Sequence, residues 1–255
     1  MRQPESGPRR AAGDRPAGPL DRDDGQTVSV GGADPGRPDG GARAGSQDDR
    51  PDGGPAAGAP ALPPGQYIPA ALPVLHYGPV PAVSLDTWDL TVFGATETGL
   101  DRRWTWRQAA ELPRRRIVAD FHCVTRFTVP GMAWEGVPAA EILRASPPSR
   151  SVTHVLIWAA FGYSANIRIG DFAADDTLLA THAGGTVLTP EHGAPMRLVV
   201  PSLYAYKSVK WVRAIEYLVQ DRRGFWEERG YHNTADPWRE QRYSYQEDAD
   251  EGPPL

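Results

Sequence analysis

One cysteine and six histidines carry most of the chemistry open to this chain. Cys123 lies in Asp120-Phe121-His122-Cys123-Val124-Thr125, in the middle of a strand-like run. A thiol so placed is either a small packed hydrophobe or, where a cation or metal lowers its pKa, a reactive thiolate or ligand. His122 is adjacent in sequence, yet in a strand it points to the opposite face and is a poor base for Cys123. A metal-free thiol enzyme is therefore a weak reading. Zinc is also poorly supported, because His76, His122, His154, His182, His192 and His232 are scattered without an H-x-x-x-H or C-x-x-C pair. A second cluster runs from Pro190-Glu191-His192-Gly193 to Pro201 and continues through Tyr204-Ala205-Tyr206-Lys207-Ser208-Val209-Lys210-Trp211. Here Arg197, Lys207 and Lys210 stand among Tyr204, Tyr206, Trp211 and aliphatics of the buried type, which favours a pocket for an anionic ligand over solvated charge.

Those residues need a frame. Thr87 to Phe93 has the β-branched and aromatic content of a strand, and Ile117 to Val129 reads as another, with Pro130-Gly131 as the turn that ends it. Thr105-Trp106-Arg107-Gln108 has capping-box spacing, so a short helix is expected up to Leu112 and a stop at Pro113. Pro138 suits the first turn of a second helix, Ala139 to Arg144. Strands follow at Val152 to Ala159, Tyr163 to Ile169, Thr177 to Thr181, Met196 to Val200 and Trp211 to Val219. Strands broken by short helices make the class α+β, a β-rich mixed-sheet domain. The aromatic and charged stretch Gly224 to Asn233 is expected to pack over the domain as a flap.

Composition bounds the folded part. Residues 1–65 hold 25 of the 53 glycines and prolines, none of the 23 aromatics, and only Leu20, Val28, Val30 and Leu62 as large aliphatics. A segment so poor in apolar surface is expected to be disordered. The compact domain is expected over 66–245, with a polar C-terminal tail at 246–255. A formal charge of −5 gives no broad basic field, so a general nucleic-acid binder is not expected. No stretch reaches the roughly 18 apolar residues of a membrane span. Arg9-Arg10 lacks the hydrophobic region of a twin-arginine export signal, and one cysteine cannot form an internal disulfide, so a cytoplasmic location is expected. Neither a dinucleotide-binding G-x-G-x-x-G after a strand nor a P-loop is present.

Four motifs stand in order: Asp-Phe-His-Cys-Val-Thr at 120–125, Trp134-Glu135-Gly136-Val137, His192-Gly193-Ala194-Pro195-Met196-Arg197-Leu198-Val199-Val200-Pro201, and Lys207-Ser208-Val209-Lys210-Trp211. Together they resemble the sulfite oxidase family of molybdopterin-dependent oxidoreductases, in particular its small bacterial members that have only the catalytic domain. The likeness covers nearly all of Gln66 to Tyr245. It implies a sulfite-oxidase-type molybdopterin-binding fold and a molybdenum ion held by one pterin dithiolene and by Cys123, with no haem. It also implies that His192 and Arg197 hold the pterin, that Ser208, Val209 and Lys210 form the loop closing over it, and that His76 and Tyr77 make a further cofactor contact.

By the same resemblance, the reaction is two-electron oxygen-atom transfer on a small sulfite-, sulfoxide- or related oxo-type substrate, with a separate redox partner. Tyr163, Tyr204 and Tyr206 are further pocket candidates. Two positions depart from the family. Thr125 stands where methionine-repairing relatives carry a glutamate, and Thr128 where sulfite-oxidising members carry an arginine. Arg126 is close by but out of register. These departures leave one alternative open, a non-catalytic pterin-binding or partner-binding module that keeps the fold.

Overall fold

The computed structural model describes residues 61–255. The disorder expected for the first 65 residues therefore falls almost wholly outside the described residues. Among the described residues, ten strands form two sheets, joined by three short α-helices. Strand β1 (Asp89–Gly94) turns Leu90 and Val92 inward and pairs antiparallel with the edge strand β2 (Arg102–Thr105). Helix α1 (Trp106–Ala110) starts on the expected capping box: the Thr105 hydroxyl accepts from the Gln108 N–H, and the Gln108 side chain accepts from the Thr105 N–H.

Strand β3 (Arg115–His122) and strand β4 (Thr128–Pro138) form a hairpin. The single strand expected over Ile117 to Val129 is thus two strands, and Cys123 sits in the turn between them. Arg126 closes that turn with a φ of 77° and an N–H donated to the Cys123 carbonyl at 3.0 Å. Pro130-Gly131, expected as the turn, lies inside β4 instead. A register shift between Ala119 and Phe121 takes up the irregularity, and the Asp120 carboxylate accepts from the Gly131 N–H at 2.8 Å. Gly131 has φ +57°, a conformation that costs glycine little.

Helix α2 (Ala139–Ala145) follows Pro138 as expected. Strands β5 (His154–Ala159) and β6 (Ser164–Arg168) form the next hairpin, and α3 (Ile169–Phe172) leads towards β7 (Leu178–Ala183). Strand β8 (Thr186–Val187), strand β9 (Arg197–Val199) and strand β10 (Val212–Leu218) complete the set. One sheet has the order β2-β1-β10-β5-β6, and its central β1–β10 pair is parallel, matching Thr91 with Ala214. The other has the order β3-β4-β7-β8, with β9 also paired to β7. The two-residue β8 and the arginine-led β2 carry too little apolar pattern to be expected from sequence.

The largest apolar core gathers Trp88, Leu90, Ile157, Ile215 and Tyr217 with Leu179, Leu198 and Val209, so both sheets share it. A smaller cluster of Phe121, Trp134, Leu178, Ala180, Leu188 and Val199 supports the second sheet. The stretch Gly224 to Asn233 packs back on the domain, with the Phe225 N–H donated to the Ser164 carbonyl at 2.8 Å. The polar residues 246–255 are fastened rather than free. Arg223 takes Glu247 with two nitrogens at 3.0 and 2.6 Å and donates to the Pro253 carbonyl, while Glu251 accepts from Thr234 and Gln241. Among the described residues, no helix is long and apolar enough to cross a membrane.

Candidate functional site

The turn that carries Cys123 is gripped from three directions. Its own hairpin supplies the first grip, with the Cys123 N–H donated to the Phe127 carbonyl at 2.8 Å. The strap before β1, residues 61–88, supplies the second: Tyr67 bonds the Arg126 carbonyl and the Thr128 N–H at 2.9 and 2.8 Å, and the Gln66 amide donates to the Cys123 carbonyl at 3.1 Å. Arg242 supplies the third, donating to the Val124 carbonyl at 2.6 Å and to that of Pro64 at 3.3 Å. Gln66 and Arg242 were not singled out by sequence reasoning. Nothing in their local sequence marks them, because each acts on a turn far along the chain.

Cys123 is buried, and burial pushes its thiol up. The Thr125 hydroxyl at 3.1 Å, the Thr125 and Val124 N–H groups and the charge of Arg242 all pull the other way. Thr128, the other departure, is fully buried and bonds His122 at 2.9 Å. It helps to close the base of the hairpin.

Arg197, the first residue of β9, is 3% exposed. It donates to the carbonyls of His192 at 3.1 Å and Ser208 at 3.0 Å, and its guanidinium lies over the rings of Phe121 and Trp134 at 5.1 and 5.3 Å. No carboxylate pairs with it among the described residues. Burial lowers its pKa to about 10. Lys210 donates to the carbonyls of Leu75 at 2.8 Å and Glu191 at 2.6 Å, again without a carboxylate among the described residues, and burial followed by the charge of Arg197 lowers it to about 8.

The two cations close on a glycine. A Cβ on Gly193 would come within 3.0 Å of the Arg197 Cβ and 3.1 Å of that of Lys210, at a φ of +108°. His192, held through Nδ1 by Thr189 at 3.0 Å, leaves a buried Nε2 with no hydrogen bond among the described residues, although the Leu72 backbone lies towards the ring. Burial and then Lys210 lower the His192 pKa, which favours its neutral form.

Ser208 and Val209, expected in the loop that closes over the cofactor, are tied to the chain around them. The Ser208 carbonyl holds Arg197, its hydroxyl accepts from the Val200 N–H, and the Val209 side chain is buried in the main core. Lys207 departs from its expected place in an anion pocket. It is fully buried with Glu227, Nζ to Oε1 at 2.5 Å, and also donates to Asn166 and to the Asn233 carbonyl. Burial pulls Lys207 down and Glu227 up, and each offsets this for the other. Lys207 thus ties the stretch Gly224 to Asn233 to strand β6.

His76 and Tyr77 lie on the strap, both exposed. His76 meets the Trp211 ring edge-on at 5.6 Å, and Tyr77 packs on Phe225 at 4.7 Å. Tyr163 is near enough to feel the charges of Arg197 and Cys123, and its hydroxyl donates to the Tyr206 carbonyl at 2.6 Å. Tyr204 and Tyr206 pack beside Val124, the residue after the cysteine. Two cations with only carbonyl and ring partners among the described residues thus flank Gly193 beside the His192 imidazole, and Lys210 is near enough to feel the charge of Cys123. The arrangement is suited to an anionic ligand with hydrogen-bonding edges that reaches a metal at Cys123.

The oxidoreductase molybdopterin binding domain matches residues 77–226. The chain is 36% identical over 185 residues to the uncharacterized oxidoreductase YuiH of Bacillus subtilis (strain 168), covering 72% of this chain and 92% of that relative. It is 25% identical over 183 residues to the protein-methionine-sulfoxide reductase catalytic subunit MsrP of Gluconobacter oxydans (strain 621H), covering 62% of this chain but only 58% of the relative. Among solved structures, the sulfane dehydrogenase SoxCD of Paracoccus pantotrophus shares the fold at a TM-score of 0.51 and 24% identity, covering 57% of this chain and 41% of that one.

Proposed function

This chain belongs to the oxidoreductase molybdopterin binding domain family, and from that premise we propose that it is a molybdenum-dependent oxidoreductase that moves an oxygen atom to or from a small oxo-type substrate. The observation that carries the proposal is Arg197, a buried cation bonded only to carbonyls and rings among the described residues. Burying a charge without a counter-ion is costly, so such a residue fits an anion bound beside it. Gly193 supports the same reading, because a side chain there would fill the space between Arg197 and Lys210.

In this reading Arg197 and Lys210 take the cofactor's phosphate, and the free Nε2 of His192 bonds a polar edge of the pterin. Ser208 acts through its carbonyl, which holds Arg197, and the Val209 carbonyl takes the Leu198 N–H and so keeps the loop against β9. His76 and Tyr77 cover the site from the strap. Cys123 ligates molybdenum as a thiolate, a soft sulfur donor that suits the metal. When bound, the group supplies two-electron redox chemistry for oxygen-atom exchange. The chain orients it, screens it behind Tyr77, Phe225 and Trp226, and holds Cys123 at a fixed turn.

The MsrP relative is named for a sulfoxide substrate, which supports an oxo-type substrate here. A separate redox partner exchanges the electrons. A cytoplasmic location fits a single thiol that must stay reduced.

Cys123→Ser tests the assignment. The serine hydroxyl stays protonated near neutral pH and is a hard donor. The variant should retain pterin on gel filtration through Arg197 and Lys210, yet lose the sulfur-to-metal absorption and all redox turnover. An active Cys123→Ser enzyme with an unchanged visible spectrum would refute the ligand assignment, and a wild type that binds pterin but turns over no oxo substrate would favour the non-catalytic module.

A further inference from the structure

Thr125 stands two residues after Cys123 on the exposed side of the β3–β4 turn, with its hydroxyl oxygen 3.1 Å from the cysteine sulfur. Besides the Cys123 N–H bond to Phe127, the bonds that hold the turn are made to its carbonyls. Gln66 and the Arg126 N–H take the Cys123 carbonyl, Arg242 takes that of Val124, and Tyr67 takes that of Arg126. The amides of Val124 and Thr125 lie near enough to the sulfur to favour its thiolate, beside the Thr125 hydroxyl that bonds it. The Thr125 hydroxyl is the side-chain hydrogen-bond partner of the sulfur among the described residues.

With a free thiol, either the sulfur or the hydroxyl can supply the hydrogen between them. A metal-bound thiolate carries no proton, so the hydrogen must then come from Thr125. We infer that Thr125 is a positioning residue that donates a hydrogen bond to the Cys123 thiolate and so limits how much electron density the sulfur gives to the bound metal. The inference rests on the reading of Cys123 as the metal ligand. It also accounts for the departure at this position: a glutamate in the same place would be ionised near neutral pH and could only accept, whereas threonine can donate. Hydrogen bonds to ligating sulfur are among the levers by which proteins tune metal centres, and they favour the more electron-rich, reduced state.

The test uses the full-length, molybdenum-loaded protein as wild type, Thr125→Val and Thr125→Ser. Valine keeps the shape of threonine without the donor, and serine keeps the donor without the methyl. Two readouts are taken besides turnover: the position of the sulfur-to-metal absorption band, and the metal's midpoint potential from a titration followed by electron paramagnetic resonance. Thr125→Val should move the band to lower energy and the potential downwards, at wild-type metal content and melting temperature, and Thr125→Ser should restore both. A purely structural role for Thr125 would move neither readout in a fully loaded variant. An unshifted band and potential in Thr125→Val, with the band present in wild type, overturns the inference and leaves the Cys123 assignment intact. Absence of the band from loaded wild type overturns both together. Should valine prevent loading, Thr125→Ala against Thr125→Ser gives the same comparison with the same two outcomes.

Discussion

Replacing Arg197 by methionine separates a residue kept for folding from one kept for a ligand. In the ligand-free protein burial pulls the guanidinium pKa down from its ordinary value to about 10. At about 1.4 kcal/mol per pH unit, holding that charge costs about 3 kcal/mol. The bonds to the His192 and Ser208 carbonyls return about 1.5 kcal/mol each, and methionine can still pack on Phe121 and Trp134. The two sides nearly cancel. Urea denaturation of cofactor-free Arg197→Met should therefore match wild type within about 1.5 kcal/mol, far less than loss of an ordinary buried ion pair.

With cofactor present the outcome reverses. The anion loses its buried partner at a cost of about 2–5 kcal/mol, so affinity falls from about thirtyfold to several thousandfold. Pterin fluorescence after gel filtration of equally loaded samples reads that loss. A variant destabilised by more than about 3 kcal/mol without cofactor, yet retaining pterin like wild type, would show that Arg197 serves the fold and that the anion site is misplaced.

Lys210 predicts a pH dependence. With its pKa near 8 rather than 10.5, it loses its proton in the folded, cofactor-free protein as pH rises past 8, so binding of inorganic pyrophosphate by calorimetry should weaken over that step. Stability moves the other way: the unfolded chain holds that proton up to 10.5, so Lys210's contribution to stability rises between pH 8 and 10.5. Lys207→Met leaves Glu227 buried and unpaired and should cost about 3–5 kcal/mol in denaturant, while Lys207→Met with Glu227→Leu should recover most of it. Truncation through Ile68 removes the Gln66 and Tyr67 bonds to the Cys123 turn, at about 1 kcal/mol each. It should lower both melting temperature and pterin retention, whereas truncation through residue 60 should leave both unchanged.

What could be read from sequence follows the range of the forces involved. The Thr105 to Gln108 capping box and the Pro138 helix start depend on near neighbours, and both form as expected. The turn at Cys123 was missed because the apolar pattern runs through it without a glycine or proline. It is imposed by Tyr67 and Arg242, each more than fifty residues away. Pro130-Gly131 misled for the converse reason, since a local turn signal was absorbed as a bulge once β4 paired with β3. Arg197 and Lys210 were legible as cations in an apolar setting, but the sequence cannot display the missing carboxylates that distinguish them. Lys207 looked the same from the sequence, and only the fold reveals Glu227 twenty residues downstream as its partner.

The parallel pairing of β1 with β10 also orders events during synthesis. Strand β1 ends at Gly94, while its central partner begins at Val212. More than a hundred residues must leave the ribosome before the first sheet can close, and pairings of such long range form slowly. The Cys123 turn waits longer still, because Arg242 lies beyond β10. A nascent chain can thus present its thiol well before the turn that aims it exists. Whatever that turn holds can be seated in its final geometry only once Arg242 has been added and folded back onto Val124.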